Sequence, residues 1–301
     1  MLHTPSSDSI IEPLLAWYAQ HWRDLPWRHT AKPYHIRVSE WMLQQTQVQR
    51  VIPYYHRWLE RFPTWHALAH APTTDVLHLW SGLGYNRRAL SLQTIAKQVA
   101  EKGEPRTAAE WLSLKGVGPY TSAAVATFSQ KEAVMPIDTN VRRLLGRALF
   151  GVYFPQLSDD APIAEATKPW TARPEFFHIP QALFDVASSI CKKRPTCESC
   201  PLQHMCQAAP AFLAGTVDIP KQSIKKAVES RHGEKPHPDR IYRGRIVKLL
   251  RERENLTRNT IGPSIDPDFD ATADQAWLNA MIERLIKDGL VHESKAFLRL
   301  G

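Results

Sequence analysis

The chain has 301 residues, and its 38 Lys and Arg outnumber 30 Asp and Glu, a net charge of +8 before any His is counted. With 23% charged and 43% apolar residues it has the composition of an ordinary globular protein, without the run of about 18 apolar residues that a membrane span requires. A membrane-spanning or wholly disordered chain is thereby excluded; the length suits about two domains, and the start, Met1-Leu2-His3-Thr4-Pro5-Ser6, shows no secretion signal, so a cytoplasmic place is expected. The positive charge favours a polyanion as partner. It is unevenly spread: residues 221–258 hold twelve Lys and Arg against five Asp and Glu, whereas the other 263 residues together carry +1.

Residues 10–205 show helical periodicity repeatedly and strand alternation almost nowhere, which predicts an all-α region. Ile11, Leu14, Leu15 and Tyr18 predict a first helix with Pro13 in its first turn, where a missing N–H is tolerated. Val38, Met42 and Leu43 mark a second, and Val51, Tyr55, Trp58 and Leu59 a third that stops before Phe62-Pro63. Thr64, Thr74 and Thr107 each precede a short apolar pattern and are expected to be N-caps. Further helices are predicted over 86–101, 119–129, 139–150 and 180–191. After Cys206 the composition turns to that of a linker. Ile241, Ile246, Leu249 and Leu250 then predict one helix, and Trp277, Met281, Leu285 and Ile286 another, closed by Gly289. Leu290-Val291 and Phe297-Leu298 bracket a polar His292-Glu293-Ser294 turn, as in a hairpin. The expected division is residues 1–215, a basic linker 216–238, and a winged-helix-like module 239–301.

Four motifs carry chemistry. Cys191, Cys197, Cys200 and Cys206 are the chain's only cysteines, too close together for a disulfide framework, so they point to one shared metal site. Zinc and a 4Fe-4S cluster both accept four thiolates; a single C-x2-C favours the cluster. Leu114-Lys115-Gly116-Val117-Gly118-Pro119-Tyr120-Thr121 joins two helical patterns as a helix–hairpin–helix would, and the following helix start offers N–H groups to a DNA phosphate. A plain glycine-containing turn between helices is the alternative. Asp138 stands where a helix begins, either as an N-cap or as a catalytic carboxylate oriented by Asn140. Glu40 and Gln44 share a face of one predicted helix, and Gln44, Gln45 and Thr46 suit the reading of base edges better than a merely solvated surface.

Together these residues resemble the helix–hairpin–helix DNA glycosylases, and among them the MutY-type adenine glycosylases. The likeness covers residues 10–210: Leu25-Pro26-Trp27-Arg28, Ser39-Glu40, Met42 to Thr46, Gly82-Leu83-Gly84-Tyr85, Gly116 to Thr121, Asp138-x-Asn140-Val141-x-Arg143 and the cysteine loop occur in the family's order. The resemblance implies a fold of two helical lobes with a 4Fe-4S loop, and base-excision repair of adenine mispaired with 8-oxoguanine or guanine. It further implies a duplex DNA partner, a monomer acting at the nucleoid, and no membrane partner. Glu40 would protonate the flipped adenine and Asp138 would face the sugar cation, so Glu40 needs a raised pKa while Asp138 stays charged. Tyr120 would stand near the sugar; a lysine there would give strand cleavage through a Schiff base, so no lyase activity is expected. DNA contacts would come from Gln44, Gln45, Thr46, Tyr85, Arg87, Arg88 and the hairpin residues Lys115, Gly116, Val117 and Gly118.

Three departures from the family pattern stand out. The first cysteine interval is five residues instead of six, Asn86 replaces a second aromatic after Tyr85, and the roughly 65 residues after the linker are too few for the family's Nudix-like domain. A thymine or uracil mismatch glycosylase is the alternative among enzymes. A non-enzymatic iron–sulfur DNA-binding regulator is the alternative of another class.

Overall fold

The computed structural model describes residues 7–220, 230–253 and 256–301. In chain order the helices are α1 (Ser7–His21), α2 (Pro33–Leu43), α3 (Val48–Arg61), α4 (Trp65–His70), α5 (Thr73–Trp80), α6 (Arg87–Lys102), α7 (Ala108–Ser113) and α8 (Pro119–Gln130). They continue with α9 (Thr139–Phe150), α10 (Asp160–Thr167), α11 (Ile179–Ser189), α12 (Ala209–Leu213), α13 (Asp239–Glu252), α14 (Arg258–Ile265) and α15 (Gln275–Lys287). Strands β1 (Val291–Ser294) and β2 (Phe297–Leu300) close the chain as an antiparallel hairpin with Val291 opposite Leu300. Among the described residues no helix is long and apolar enough to cross a membrane.

Two compact units interleave along the sequence: residues 1–40 with 104–221, and residues 41–103 with 222–301. In the first, Val141, Leu144, Leu145 and Leu149 recur along α9 at helical spacing and bury one stripe against Ile179, Leu183 and Val186 of α11 and Ile10, Ile11 and Leu14 of α1. Helices α7 and α8 form the expected hairpin. Gly116 takes φ 93°, which a side chain would strain, Val117 is buried under the turn, and Pro119 opens α8. In the second unit Trp58 packs edge-on against Phe62 and Trp80, while α13, α14 and α15 enclose Tyr242 and Trp277. Strand β2 lies against α13 and α5, so the C-terminal segment packs on helices from the 41–103 segment.

Most predicted helices stand where periodicity placed them, and α9 has the predicted limits of 139–150. Four details differ. Helix α1 starts at Ser7, which puts Pro13 inside it, where the missing N–H forfeits a helical bond. Thr64 and Thr107 cap their helices by accepting from Ala67 N and Glu110 N, but Thr74 lies within α5, whose entry is set by Pro72. His292, Glu293 and Ser294 belong to β1, and the turn is Lys295-Ala296, both at positive φ and without the Gly or Asn that would signal it. Helix α14 escaped sequence reading because Gly262 and Pro263 interrupt its pattern. Of the expected linker, residues 221–229 lie outside the described residues. The part that follows is pinned: His232 stacks on Trp277 at 5.0 Å, and Lys235 Nζ lies 2.7 Å from Asp266 and 2.6 Å from Asp274.

Candidate active site

Within the first unit, Glu40, Tyr120 and Asp138 come together from three separate stretches of sequence. Glu40 rides on α2, whose apolar residues Tyr34, Ile36 and Val38 are buried. Its Oε2 accepts a hydrogen bond from Tyr120 Oη at 2.7 Å, and Tyr120 sits in the first turn of α8, immediately after the hairpin. Burial pushes the Glu40 carboxyl up from 4.5 to about 7; the Tyr120 hydrogen bond opposes that rise, the Asp138 charge adds to it, and Arg37 opposes it weakly. Burial, then the charges of Glu40 and Asp138, hold Tyr120 well above the ordinary phenol range, so it stays a neutral donor. Arg37 is itself fully buried and pushed down to about 9 by desolvation, with the Glu40 charge opposing.

Asp138 is the N-cap of α9, and the helix-cap and catalytic-carboxylate readings describe one position. Its Oδ1 accepts from Asn140 N (2.8 Å) and Val141 N (2.7 Å), and its Oδ2 from Asn140 Nδ2 (2.8 Å). The helix N-terminus and these three donors surround the carboxylate with positive potential and fix its direction. Asn140 Oδ1 in turn accepts from Arg143 Nη2 (3.1 Å), whose guanidinium also donates to the carbonyls of Cys191 (2.6 Å) and Ala187 (2.8 Å).

The cysteine loop begins at that point. One turn along α9 from Arg143, the buried Arg147 donates to the carbonyls of Lys192 (2.6 Å) and Lys193 (3.2 Å) and to Cys191 Sγ (3.5 Å). The four cysteines line one pocket whose walls include Leu144, Ala148, Leu202 and Phe212. Among the described residues no three His, Cys, Asp or Glu side chains form a ready single-ion site. Burial first, and the neighbouring thiols second, push Cys197 up to about 11; burial pushes Cys200 up to about 12 against a backbone hydrogen bond. Thiols so placed give up their protons only to a strongly bound cation.

Sequence reasoning missed a third carboxylate. Asp185 on α11 is 1% exposed and accepts both guanidinium arms of Arg28 at 2.8 Å, with Arg23 Nε at 2.5 Å on the same carboxylate. Its signal was a charge in the apolar stripe formed by Ala182, Leu183 and Val186.

The remaining predicted contact residues lie elsewhere. Lys115, Gly116 and Gly118 form the hairpin turn of the first unit around buried Val117. In the second unit Gln44, Gln45 and Thr46 are not on the helix of Glu40, as the sequence predicted: α2 ends at Leu43 and they form a turn. Arg88 imposes that ending by donating to the carbonyls of Trp41 (3.1 Å), Met42 (3.3 Å) and Gln44, and to Thr46 Oγ1 (3.2 Å). Gln45 is exposed and held at φ 55°. Tyr85 is 66% exposed, and the exposed Arg87 pairs loosely with Asp288 at 3.7 Å.

A hairpin between helices, followed by a carboxylate capping the next helix, defines the class: residues 38–152 match the family model described as HhH-GPD superfamily base excision DNA repair protein. Over 300 residues the chain is 36% identical to the adenine DNA glycosylase of Mycolicibacterium smegmatis, covering 93% of this chain and 92% of that protein. It is 39% identical over 218 residues to the adenine DNA glycosylase of Mus musculus, covering 65% of this chain and 41% of the mouse protein. A solved thermostable thymine-DNA glycosylase superposes with a TM-score of 0.62 at 26% identity, over 66% of this chain and 94% of that one. The chain belongs to the adenine DNA glycosylase family.

Proposed function

We propose that this protein hydrolyses the N-glycosidic bond of adenine mispaired with 8-oxoguanine or guanine, with Glu40 as general acid and Asp138 as the anion facing the sugar. The Glu40–Tyr120 pair carries this reading: a carboxyl raised to about 7 is half protonated near neutral pH, where an ordinary glutamate holds almost no proton. Adenine, flipped from the duplex, is a poor leaving group until its ring is protonated; Glu40 supplies that proton as the C–N bond breaks. The sugar is left as an oxocarbenium-like cation, and the Asp138 carboxylate, held by Asn140 and the α9 N-terminus, stabilises it until water adds. Tyr120 offers a hydroxyl and no amine, so the product is an abasic site without strand cleavage. Thymine and uracil leave as stabilised anions and make no such demand on Glu40, so the raised acid favours adenine.

Phosphates would be held by Lys115 to Gly118 at the start of α8, and Gln44, Gln45, Thr46 and Tyr85 would read the duplex. The cysteines fit a 4Fe-4S cluster: four thiols line one pocket with apolar walls, burial raises Cys197, Cys200 and Cys206, and the arginines Arg143 and Arg147 grasp the loop's start. Such a cluster would supply iron–sulfur bonds that lock the loop; iron and sulfide content, against zinc, tests it. The modules 1–215, 216–238 and a winged-helix-like 239–301 remain a proposal that limited proteolysis tests.

Incubation with duplexes bearing A, T or U opposite guanine or 8-oxoguanine, followed by alkali, tests the function. Abasic product from adenine alone is the expected outcome. No abasic product at any enzyme concentration would refute it, and product from T or U opposite guanine alone would establish the mismatch-pyrimidine reading.

A further inference from the structure

In the second unit the loop 81–86 is tied down at every carbonyl from Ser81 to Gly84. Ser81 O accepts from Tyr54 Oη (2.9 Å), Gly82 O from Arg50, and Leu83 O and Gly84 O from Arg88 (3.2 Å each), with Trp80 Nε1 also on Gly84 O (3.0 Å). The same Arg88 holds the Gln44–Thr46 turn, so one guanidinium joins the two segments that bear the proposed base-reading side chains. Tyr85 follows at φ 51°, a conformation that costs a non-glycine residue free energy, and its ring stands largely in solvent with the Arg88 guanidinium 5.4 Å from its centroid. A strained backbone that holds an aromatic outward, with no core to fill, suits stacking against a base.

The C-terminal segment reaches both ends of this loop. Before it, Arg251 of α13 donates from Nη1 to Ser81 Oγ, and β2 packs on α5. After it, Asp288 lies 3.7 Å from Arg87, and a methyl group on Gly289 would stand 3.6 Å from Leu90 Cδ1. Arg251 is half-buried, with one arm spent on Ser81.

We propose that residues 239–301 are a positioning element for the Tyr85 loop, with Arg251 its main contact, so that the C-terminal segment sets the grip on the mispair through the loop it braces. This rests on the reading of Tyr85 as a DNA contact. Sequence-level charge suggests the opposite role for Arg251, a direct phosphate contact, and the two roles separate experimentally. A phosphate contact, when removed, lowers the slope of log Kd against log salt by about one. A positioning residue leaves that slope alone and acts only through the side chain it positions.

The test uses the full chain and a fluorescent duplex with A opposite 8-oxoguanine, titrated at several salt concentrations. Arg251→Ala should weaken binding roughly fivefold, the scale of one hydrogen bond, with an unchanged salt slope. Tyr85→Ala should weaken it about tenfold or more, and the double variant should bind as Tyr85→Ala alone does. Arg251→Lys, which can still donate to Ser81, should restore part of the loss, and Ser81→Ala should reproduce it; if Arg251→Ala does not melt cooperatively, Ser81→Ala decides. Additive losses, a salt slope lowered by one, or unchanged binding in both Arg251→Ala and Ser81→Ala would overturn the proposal. Failure of the functional reading looks different: the wild-type chain would bind the duplex and release no adenine.

Discussion

Glu40 and Asp185 are two carboxylates enclosed by the same unit, and their neighbours give them opposite fates. Asp185 receives two guanidinium groups, one of them bidentate, and its charge is matched where it sits. Glu40 receives a phenol, stands within the field of a second carboxylate, and feels Arg37 least of all. The first arrangement makes a strut between α11 and the Arg23–Arg28 segment. The second favours the protonated carboxyl, because the cost of the buried charge is met by holding the proton. Burial of an acidic group thus says little until the positive charge around it is counted.

The comparison breaks most easily at Glu40. Glu40→Gln keeps the shape and removes the proton, so excision of adenine should fall by about 10²–10⁴-fold in single-turnover assays while DNA binding persists. The same substitution should stabilise the fold. The folded protein binds the Glu40 proton more tightly than the unfolded chain does, so Glu40 costs nothing below about 4.5 and its penalty is complete above about 7. Chemical denaturation at pH 8 should show the variant more stable by on the order of 1–3 kcal/mol, and at pH 4 the gain should vanish. Asp185→Asn should do the reverse, with a loss of about 3 kcal/mol in the same measurement, because Arg28 and Arg23 then lack their counter-charge.

Asp138→Asn sharpens the distinction between cap and catalyst. Asparagine caps a helix as well as aspartate does, so stability should change by less than about 1 kcal/mol, whereas the excision rate should drop roughly a hundredfold for want of the anion. If rate and stability fall in proportion, Asp138 is only a cap. The smallest effect is expected from pH. kcat/KM should decline as pH rises through about 7, where Glu40 loses its proton. Tyr120→Phe removes the hydrogen bond that favours the charged carboxylate, so the alkaline limb should move to higher pH. A limb that stays in place or moves down would show that Glu40 is not the titrating acid.

Much was legible in the chain because it is local. Helical periodicity placed α9 to the residue, the Gly116–Pro119 string marked the hairpin, and Asp138 stood visibly at a helix start. Short-range geometry and capping act within a few residues, so a sequence window contains their causes. Glu40, Asp138 and the four cysteines were likewise recognisable as an ordered series of motifs.

Sequence alone thus determined which groups could do chemistry, while the tertiary structure decided the state of each. The Tyr120 hydrogen bond to Glu40 spans 80 residues and the Arg28 pairing with Asp185 spans 157, so no local pattern could show that one acid is left under-neutralised and the other fully paired. Arg88 was read as a DNA contact, and its two terminal nitrogens are turned onto five backbone carbonyls and one threonine hydroxyl of its own unit; Arg251, one basic residue among twelve in its segment, ends on Ser81. Charge is a property of composition, but desolvation and partner geometry exist only once distant segments are packed, and these set a pKa or commit a guanidinium.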